Sequence, residues 1–373
     1  MHRRSYLAFL FVLSACGTSS NNASTTPPPA DTKPVLADVT NDVILPTYRT
    51  LDTEAGNLRD AAEALRTAPS AEALAKTQLA WRAARKAWRK SDAFRFGPVV
   101  AKEISDAVDY WPARPTSIEA IVSGTDAITP EGFDKLGTNV KGFMGLEYLL
   151  FDNAGAGDAG ILAKLTTETG AERRRLYVAA AAANLKAKTA ELYKSWDPAG
   201  ENFAAQVTNA GSGSASYPSA KAAIDQLVNR AVIAGDTVAG TKIARPFGKK
   251  NGGALQPDQE ETPRSDNSLA DMLATLEGVQ AVYDGASDGV DGKGITDLVR
   301  EKNAALDDRM HTALNDARAK VQAVPAPFRT AMTGQPALVD ASYEAVRGMK
   351  NLMGTEVAGA LGTALQFNDN DGD

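Results

Sequence analysis

From Val35 onward, apolar residues recur at helical intervals. Val39, Val43, Tyr48, Leu51, Leu58, Ala62 and Leu65 stand mostly three, four or seven positions apart, which lines one face of an α-helix. Pro46 should break or kink the first turns of this element, because it brings no N–H to the helical ladder. Pro69-Ser70 closes it and caps the next helix, predicted over about 71–94 and ended by Gly97-Pro98. Residues 99–137 are interrupted by Pro112, Pro115, Gly124, Pro130 and Gly132 and predict short helices and loops. Further helices are expected over about 139–151, 166–196, 217–242, 266–284, 295–323 and 335–366. The Gly/Ser-rich stretch 197–216 and the Pro/Gly-rich stretch 243–265 predict loops. No segment alternates with the period of a strand. The pattern predicts an all-α fold of two helical-bundle halves, 36–215 and 216–367, with an acidic tail over 368–373. Abundant alanine agrees with helix by intrinsic propensity.

The amino terminus changes the picture. Arg3 and Arg4 precede a short apolar run from Tyr6 to Leu13, which is too short to span a bilayer and reads as a signal peptide. The run ends in Leu13-Ser14-Ala15-Cys16, which resembles a bacterial lipobox and carries the one cysteine of the chain. This implies cleavage after residue 15, lipidation of Cys16 and a lipid-anchored protein of the bacterial cell envelope. The expected place is the periplasmic face of the outer membrane, with which Gly17 is consistent. Residues 16–35 are rich in Ser, Thr, Asn and Pro and read as a flexible tether. A lone cysteine excludes an intramolecular disulfide. The net charge of −6 becomes −8 once Arg3 and Arg4 are removed with the signal peptide. That acidity argues against a nucleic-acid partner and against electrostatic attachment to anionic lipid; the acyl chains on Cys16 would do the anchoring.

Three stretches carry candidate chemistry. In Gly142-Phe143-Met144-Gly145-Leu146-Glu147-Tyr148-Leu149-Leu150-Phe151, Met144 and Glu147 are three apart and share a helix face. The helix is apolar nearly all round, so Glu147 should be partly buried and needs a partner. Met144 reads first as a gap-filling core residue, and as a ligand only second. In the second stretch, Trp81, Arg85, Trp88 and Asp92 form one stripe, too polar for simple core. It would place Arg85 and Asp92 near Glu147 in a central cavity, or else form a buried structural ion pair packed on tryptophan. In the third, Glu261-Thr262-Pro263-Arg264-Ser265-Asp266-Asn267-Ser268-Leu269-Ala270-Asp271 enters a helix. Ser265 or Asp266 is the expected N-cap, with Asp271 early in the helix, and Glu261 is the better site candidate. The acidic segment 284–297 and the terminal tail lack the ligand spacing of an EF-hand.

These stretches resemble the imelysin family. Its signature reads Gly-x-His-x-x-Glu followed by Tyr-Leu-Leu, and Met144 stands at the histidine position. The second stretch is similar to the family's Trp-x-x-x-Arg-x-x-Trp, Ser-Glu, Phe-Gly-Pro pattern, with Asp92 in place of Glu. Asp109-Tyr110-Trp111-Pro112 and Ile118-Glu119-Ala120-Ile121 are similar to its linking segment, and the likeness runs over about residues 38–355. The resemblance implies an all-helical metallopeptidase or iron-uptake lipoprotein. It would place a divalent metal ion, iron before others, at Glu147, Asp92, Glu261 and Met144, in a pocket with Arg85, Trp88, Gly142, Asp109 and Ser265. Outer-membrane metal-uptake components would be its partners.

The mature chain holds one histidine, His311, and neither a His-Glu-x-x-His motif nor a nucleophile elbow. The expectation is therefore a metal-binding envelope lipoprotein rather than an active protease. The alternatives are a metallopeptidase with a carboxylate-only metal site, and a scaffold that has lost the metal.

Overall fold

The protein is described by a computed structural model over residues 31–365, apart from positions 154 and 288. The signal peptide, Cys16, the tether up to residue 30 and the acidic tail lie outside the described residues; the end of the expected tether is corrected, because helix begins at Thr32 and Val35 is already buried. Among those residues the elements are helices; the nearest thing to a strand is an isolated bridge between Ser287 and Val290. No helix among them is long and apolar enough to cross a membrane.

The first predicted helix is three segments in line: Thr32–Asp38, a π-helical turn over Val39–Ile44, and Leu45–Thr67. Pro46 falls in the first turn of the last segment, directly after the wide turn. A π turn inserts one residue into the ladder, so the helix runs past a proline that an unbroken α-helix would not accept. Two more π turns follow: Thr237–Ile243 ends the helix begun at Ala220, and Met353–Val357 interrupts the one begun at Pro336, which resumes over Ala358–Leu361. The helix expected over 166–196 begins only at Ala171, after left-handed Gly170, and Gly157–Thr166 is a separate helix before it. Asn303 divides 295–323 by capping Ala304–Gln322, its side chain accepting from the Leu306 N–H. The stretch expected as loop at 197–216 contains one short helix, Phe203–Thr208.

Leu45–Thr67 packs against both Ala71–Lys90 and Ala171–Trp196, and Ala304–Gln322 packs against Pro336–Leu352. The two sets of helices meet where Ser268–Asp284 lies on Ala71–Lys90, and the residues from Asp31 onward form one compact unit. At the crossing a Cβ on Gly278 would stand 2.0 Å from the carbonyl oxygen of Lys90. Gly278→Ala should therefore force the helices apart and cost about 1–3 kcal/mol. Chemical denaturation would test this, and an unchanged midpoint would show that the crossing is looser than described.

The apolar core is dense around tryptophan. Trp196 meets Tyr48, Phe96 and Phe203 at centroid distances of 5.6, 5.4 and 4.9 Å. Trp81 meets Phe143 and Phe151 at 6.1 and 5.0 Å. Full burial of such side chains contributes on the order of 2–3 kcal/mol each. It fixes the Ala71–Lys90 helix against the signature helix, Gly142–Leu150.

Candidate functional site

The signature helix starts on a tight approach. Gly142 has φ of 65°, and a Cβ there would lie 2.2 Å from the Val108 carbonyl oxygen. Glycine is thus required for the helix to begin against the segment that carries Asp109. Every residue from Gly142 to Leu150 except Tyr148 is buried. Met144 is part of that core.

Glu147 is 4% exposed. Its Oε1 accepts three hydrogen bonds from the third stretch: the backbone N–H of Arg264 at 3.2 Å, that of Ser265 at 3.0 Å, and the Ser265 hydroxyl at 2.7 Å. Burial pushes this carboxyl up to about 7, although Ser265 and Arg85 pull the other way. The same segment is held from other sides. Arg82 donates to the Ser265 carbonyl and to Asn267 Oδ1, and Arg329 contacts Asp266 and the Pro263 carbonyl. Asp266 is left-handed, with φ of 54°. The expectation that Ser265 or Asp266 caps the following helix is corrected: the N-cap is Asn267, and the Ser265 hydroxyl is committed to Glu147.

One turn away in the stripe, Arg85 is wholly buried. Its Nε donates to Asp271 Oδ2 at 2.8 Å and its Nη1 to Asp109 Oδ1 at 2.9 Å, with Glu261 Oε1 3.4 Å from Nη2. The guanidinium also lies over Trp81 and Phe143, 5.3 and 5.6 Å from the ring centroids. Trp88 donates its indole N–H to Asp109 Oδ2 at 2.8 Å, and Arg89 reaches the same oxygen at 2.8 Å. Arg89 further contacts Glu261, and Lys242, from the second π turn, contacts the other Glu261 oxygen. Asp92 accepts from Thr275 at 2.8 Å and pairs with Arg95, with Arg89 at 3.6 Å. Asp271 is completed by Asn267 Nδ2 at 2.7 Å on its second oxygen.

The result is an ionic core of four cations (Arg85, Arg89, Arg95, Lys242) against four acids (Asp92, Asp109, Glu261, Asp271). Burial pushes Asp109 up, but Arg85, Arg89 and Arg95 together hold it well below the usual carboxylate range. Glu261 is likewise held low by Arg89, Lys242 and Arg85 against its burial. For Asp271 burial outweighs the attraction of Arg85 and Arg89, and its carboxyl is raised.

The structure therefore brings Arg85, Trp88, Asp109 and Glu261 together as a site, with Asp92 at its edge and Glu147 and Ser265 forming a neighbouring latch. It does not turn Glu147, Asp92, Glu261 and Met144 to one point. Among the described residues no group of three or more His, Cys, Asp and Glu is arranged to hold a metal ion. The reason is charge: each acid of the core already faces guanidinium or ammonium groups. Glu147 Oε1 is saturated by amide and hydroxyl donors, which a cation would have to displace. The residues present do not fit a divalent ion at this place.

Cavities of about 290, 220 and 230 Å³ lie beside Arg59 and Leu176, beside Thr47 and Ala83, and beside Ile121 and Phe133. None of these three is lined by a residue of the ionic core or by Glu147. His311 lies in another group, beside Thr296 Oγ1 at 3.1 Å, Asp284 at 3.5 Å and Asp307 at 3.6 Å.

Arg89, Arg95, Lys242 and Asp271 complete the core, although neither the stripe nor the signature marks them as site residues. Arg89 had a signal, standing one turn after Arg85 on the same helix. Lys242 had none, because its π turn breaks the helical period.

The three stretches lie within the region that a family model matches. The family model for imelysin, also described as peptidase M75, matches residues 44–353. The chain belongs to the imelysin family. It is 26% identical over 302 residues to Iron-regulated protein A of Synechococcus elongatus, covering 80% of this chain and 78% of that one. Two crystal structures share the fold. One, described as an iron-regulated protein A precursor from Parabacteroides distasonis, aligns with a TM-score of 0.76 at 23% identity, over 91% of this chain and 97% of its own. The other, an imelysin-like protein from Psychrobacter arcticum, gives 0.70 at 21% identity, over 90% and 97%. The imelysin fold here is all-helical, and its signature residues lie at the joint between the two sets of helices.

Proposed function

We propose that this imelysin-family protein is a non-proteolytic component of iron acquisition, exported and held to the envelope membrane by lipid on Cys16. The iron link rests on the extended similarity to Iron-regulated protein A. The non-proteolytic reading rests on the signature itself: Met144 offers a buried thioether where an imidazole would be needed, and Glu147 is bonded to Arg264 and Ser265. A thioether suits soft ions and a carboxylate hard ones, so the pair makes a poor joint ligand. In this reading the signature region is a structural joint, and the protein works by binding, through its surface or with outer-membrane uptake components. The competing reading, a carboxylate-based metallopeptidase, requires Asp92, Asp109 and Glu261 to leave their arginines.

The test uses the soluble body without Cys16, exposed in turn to Fe, Cu, Zn and Mn. Neither stoichiometric metal at the signature nor proteolysis of an unfolded substrate is expected, for wild type or for Glu147→Ala. Metal-dependent proteolysis that vanishes in Glu147→Ala would overturn the reading. In cells, loss of the protein should lower iron accumulation under iron limitation; unchanged accumulation would remove the iron link.

A further inference from the structure

We propose that Arg85, Arg89 and Lys242 form a carboxylate-binding seat, filled in this chain by its own Glu261, so that this place takes an anion and not a divalent cation. The inference stands on the geometry of the ionic core and does not depend on the link to iron.

Glu261 is delivered by the coil between the short turn Pro257–Gln259 and the helix Ser268–Asp284. Its two oxygens divide the work. Oε1 faces both arginines, with Arg85 Nη2 at 3.4 Å and Arg89 Nη2 in contact, and Oε2 faces Lys242 Nζ. Three cations from two elements converge on one carboxylate, although Arg85 and Arg89 already have Asp109, Asp271 and Asp92 as partners. Without the Glu261 side chain, four buried cations would face three acids, and the surplus would sit where Lys242 and the two guanidinium edges meet. Arginine edges and an ammonium at that spacing are the donors that recognise a planar carboxylate.

Glu261 is also, with Arg95 at 15%, one of the two members of the core that solvent reaches most. Its side chain is 17% exposed, whereas those of Arg85, Arg89, Lys242, Asp109 and Asp271 are 0–5% exposed. A vacancy made by truncating it would be the size of a small carboxylate and would lie toward solvent. A divalent cation entering the same vacancy would meet the edges of two guanidinium groups and the Lys242 amine, with no carboxylate free to receive it.

The experiment is chemical rescue of Glu261→Ala. Its melting temperature should fall below that of wild type. Sodium formate or acetate should restore at least half of the loss in a saturable way, with half-saturation roughly in the millimolar range expected of a small anion on a few charged contacts. Sodium chloride at matched ionic strength should not restore it, and the wild type should not respond to formate. Adding Arg89→Met to the variant should abolish the rescue, and Mn(II) or Zn(II) should stabilise neither wild type nor Glu261→Ala. Should Glu261→Ala fail to fold, Glu261→Gln preserves the shape without the charge, and its melting temperature should fall while remaining blind to formate. Recovery by formate no better than by chloride, a Glu261→Gln protein as stable as wild type, or stabilisation by a divalent ion would each overturn the proposal.

Discussion

Replacing Arg85 by methionine is expected to cost about 3–5 kcal/mol of folding stability, the loss typical of removing one partner from a buried ion pair. The guanidinium is fully buried and bridges Asp109 and Asp271 at 2.9 and 2.8 Å. Methionine would fill much of the volume between Trp81 and Phe143 but leave two carboxylates without their shared donor. Protonating them would relieve part of the penalty, so the deficit should shrink toward acid pH. Arg85→Lys should fall between, because a single ammonium cannot present separate edges to the two acids. Urea denaturation followed by far-UV circular dichroism measures the loss. A deficit under about 1 kcal/mol would place the pair among those that contribute little. Because Asp109 precedes residue 216 and Asp271 follows it, unfolding should remain a single transition in which both sets of helices are lost together.

The second large effect is a pH dependence carried by Glu147. Its carboxyl titrates in the fold near 7, against an ordinary value of 4.5, because burial disfavours the charged form. A raised carboxyl favours the protonated state of the fold. Its stabilising contribution is complete below the unfolded value and is lost as pH rises through the folded one. Between pH 4.5 and pH 8 the ionised form should come to cost on the order of 3 kcal/mol relative to the protonated form. Glu147→Gln keeps an oxygen for the Arg264 and Ser265 donors and removes the titration. Its stability should match the wild type within about 1 kcal/mol near pH 5 and exceed it by up to about 3 kcal/mol near pH 8. The difference between the two proteins is the quantity to follow, because Asp271, also raised, slopes the absolute profile the same way, while Asp109 and Glu261, held low, weaken the fold only as pH falls through the ordinary carboxylate range. A difference that stays constant from pH 5 to pH 8 would show that Glu147 is ionised throughout.

Much of this was legible from spacing alone. The stripe of Trp81, Arg85 and Trp88 gave a polar seam inside the fold, and the apolar ring around Glu147 gave its burial. Asp92 departed from the stripe because the helix tightens to a 3₁₀ turn over Ser91–Phe94. That turn rotates the chain further per residue than an α-helix does, and Asp92 meets Arg95 and Thr275. Ser265 looked like a cap because caps are a local rule. The rule lost to a long-range one, the need of a buried carboxylate for donors. Lys242 and Asp271 reach Glu261 and Arg85 from sequence positions far away, and no single-chain period encodes that meeting. The family's signature histidine implied a metal, but the composition of the pocket is decided by the cations around it, and those are spread over three segments.

The burial of this shared ionic network has a consequence for how the fold responds to salt. Charges on a surface lose their mutual attraction as dissolved ions gather round them, within a Debye length of about 8 Å at physiological salt. Counter-ions have little access to Arg85, Asp109 or Asp271, and the joint between the two sets of helices should hold as firmly in brine as in fresh water. Surface pairs such as Lys76 with Glu72, both largely exposed, have no such shelter. The centre of the fold should thus be indifferent to swings in salinity, while its periphery remains responsive to them.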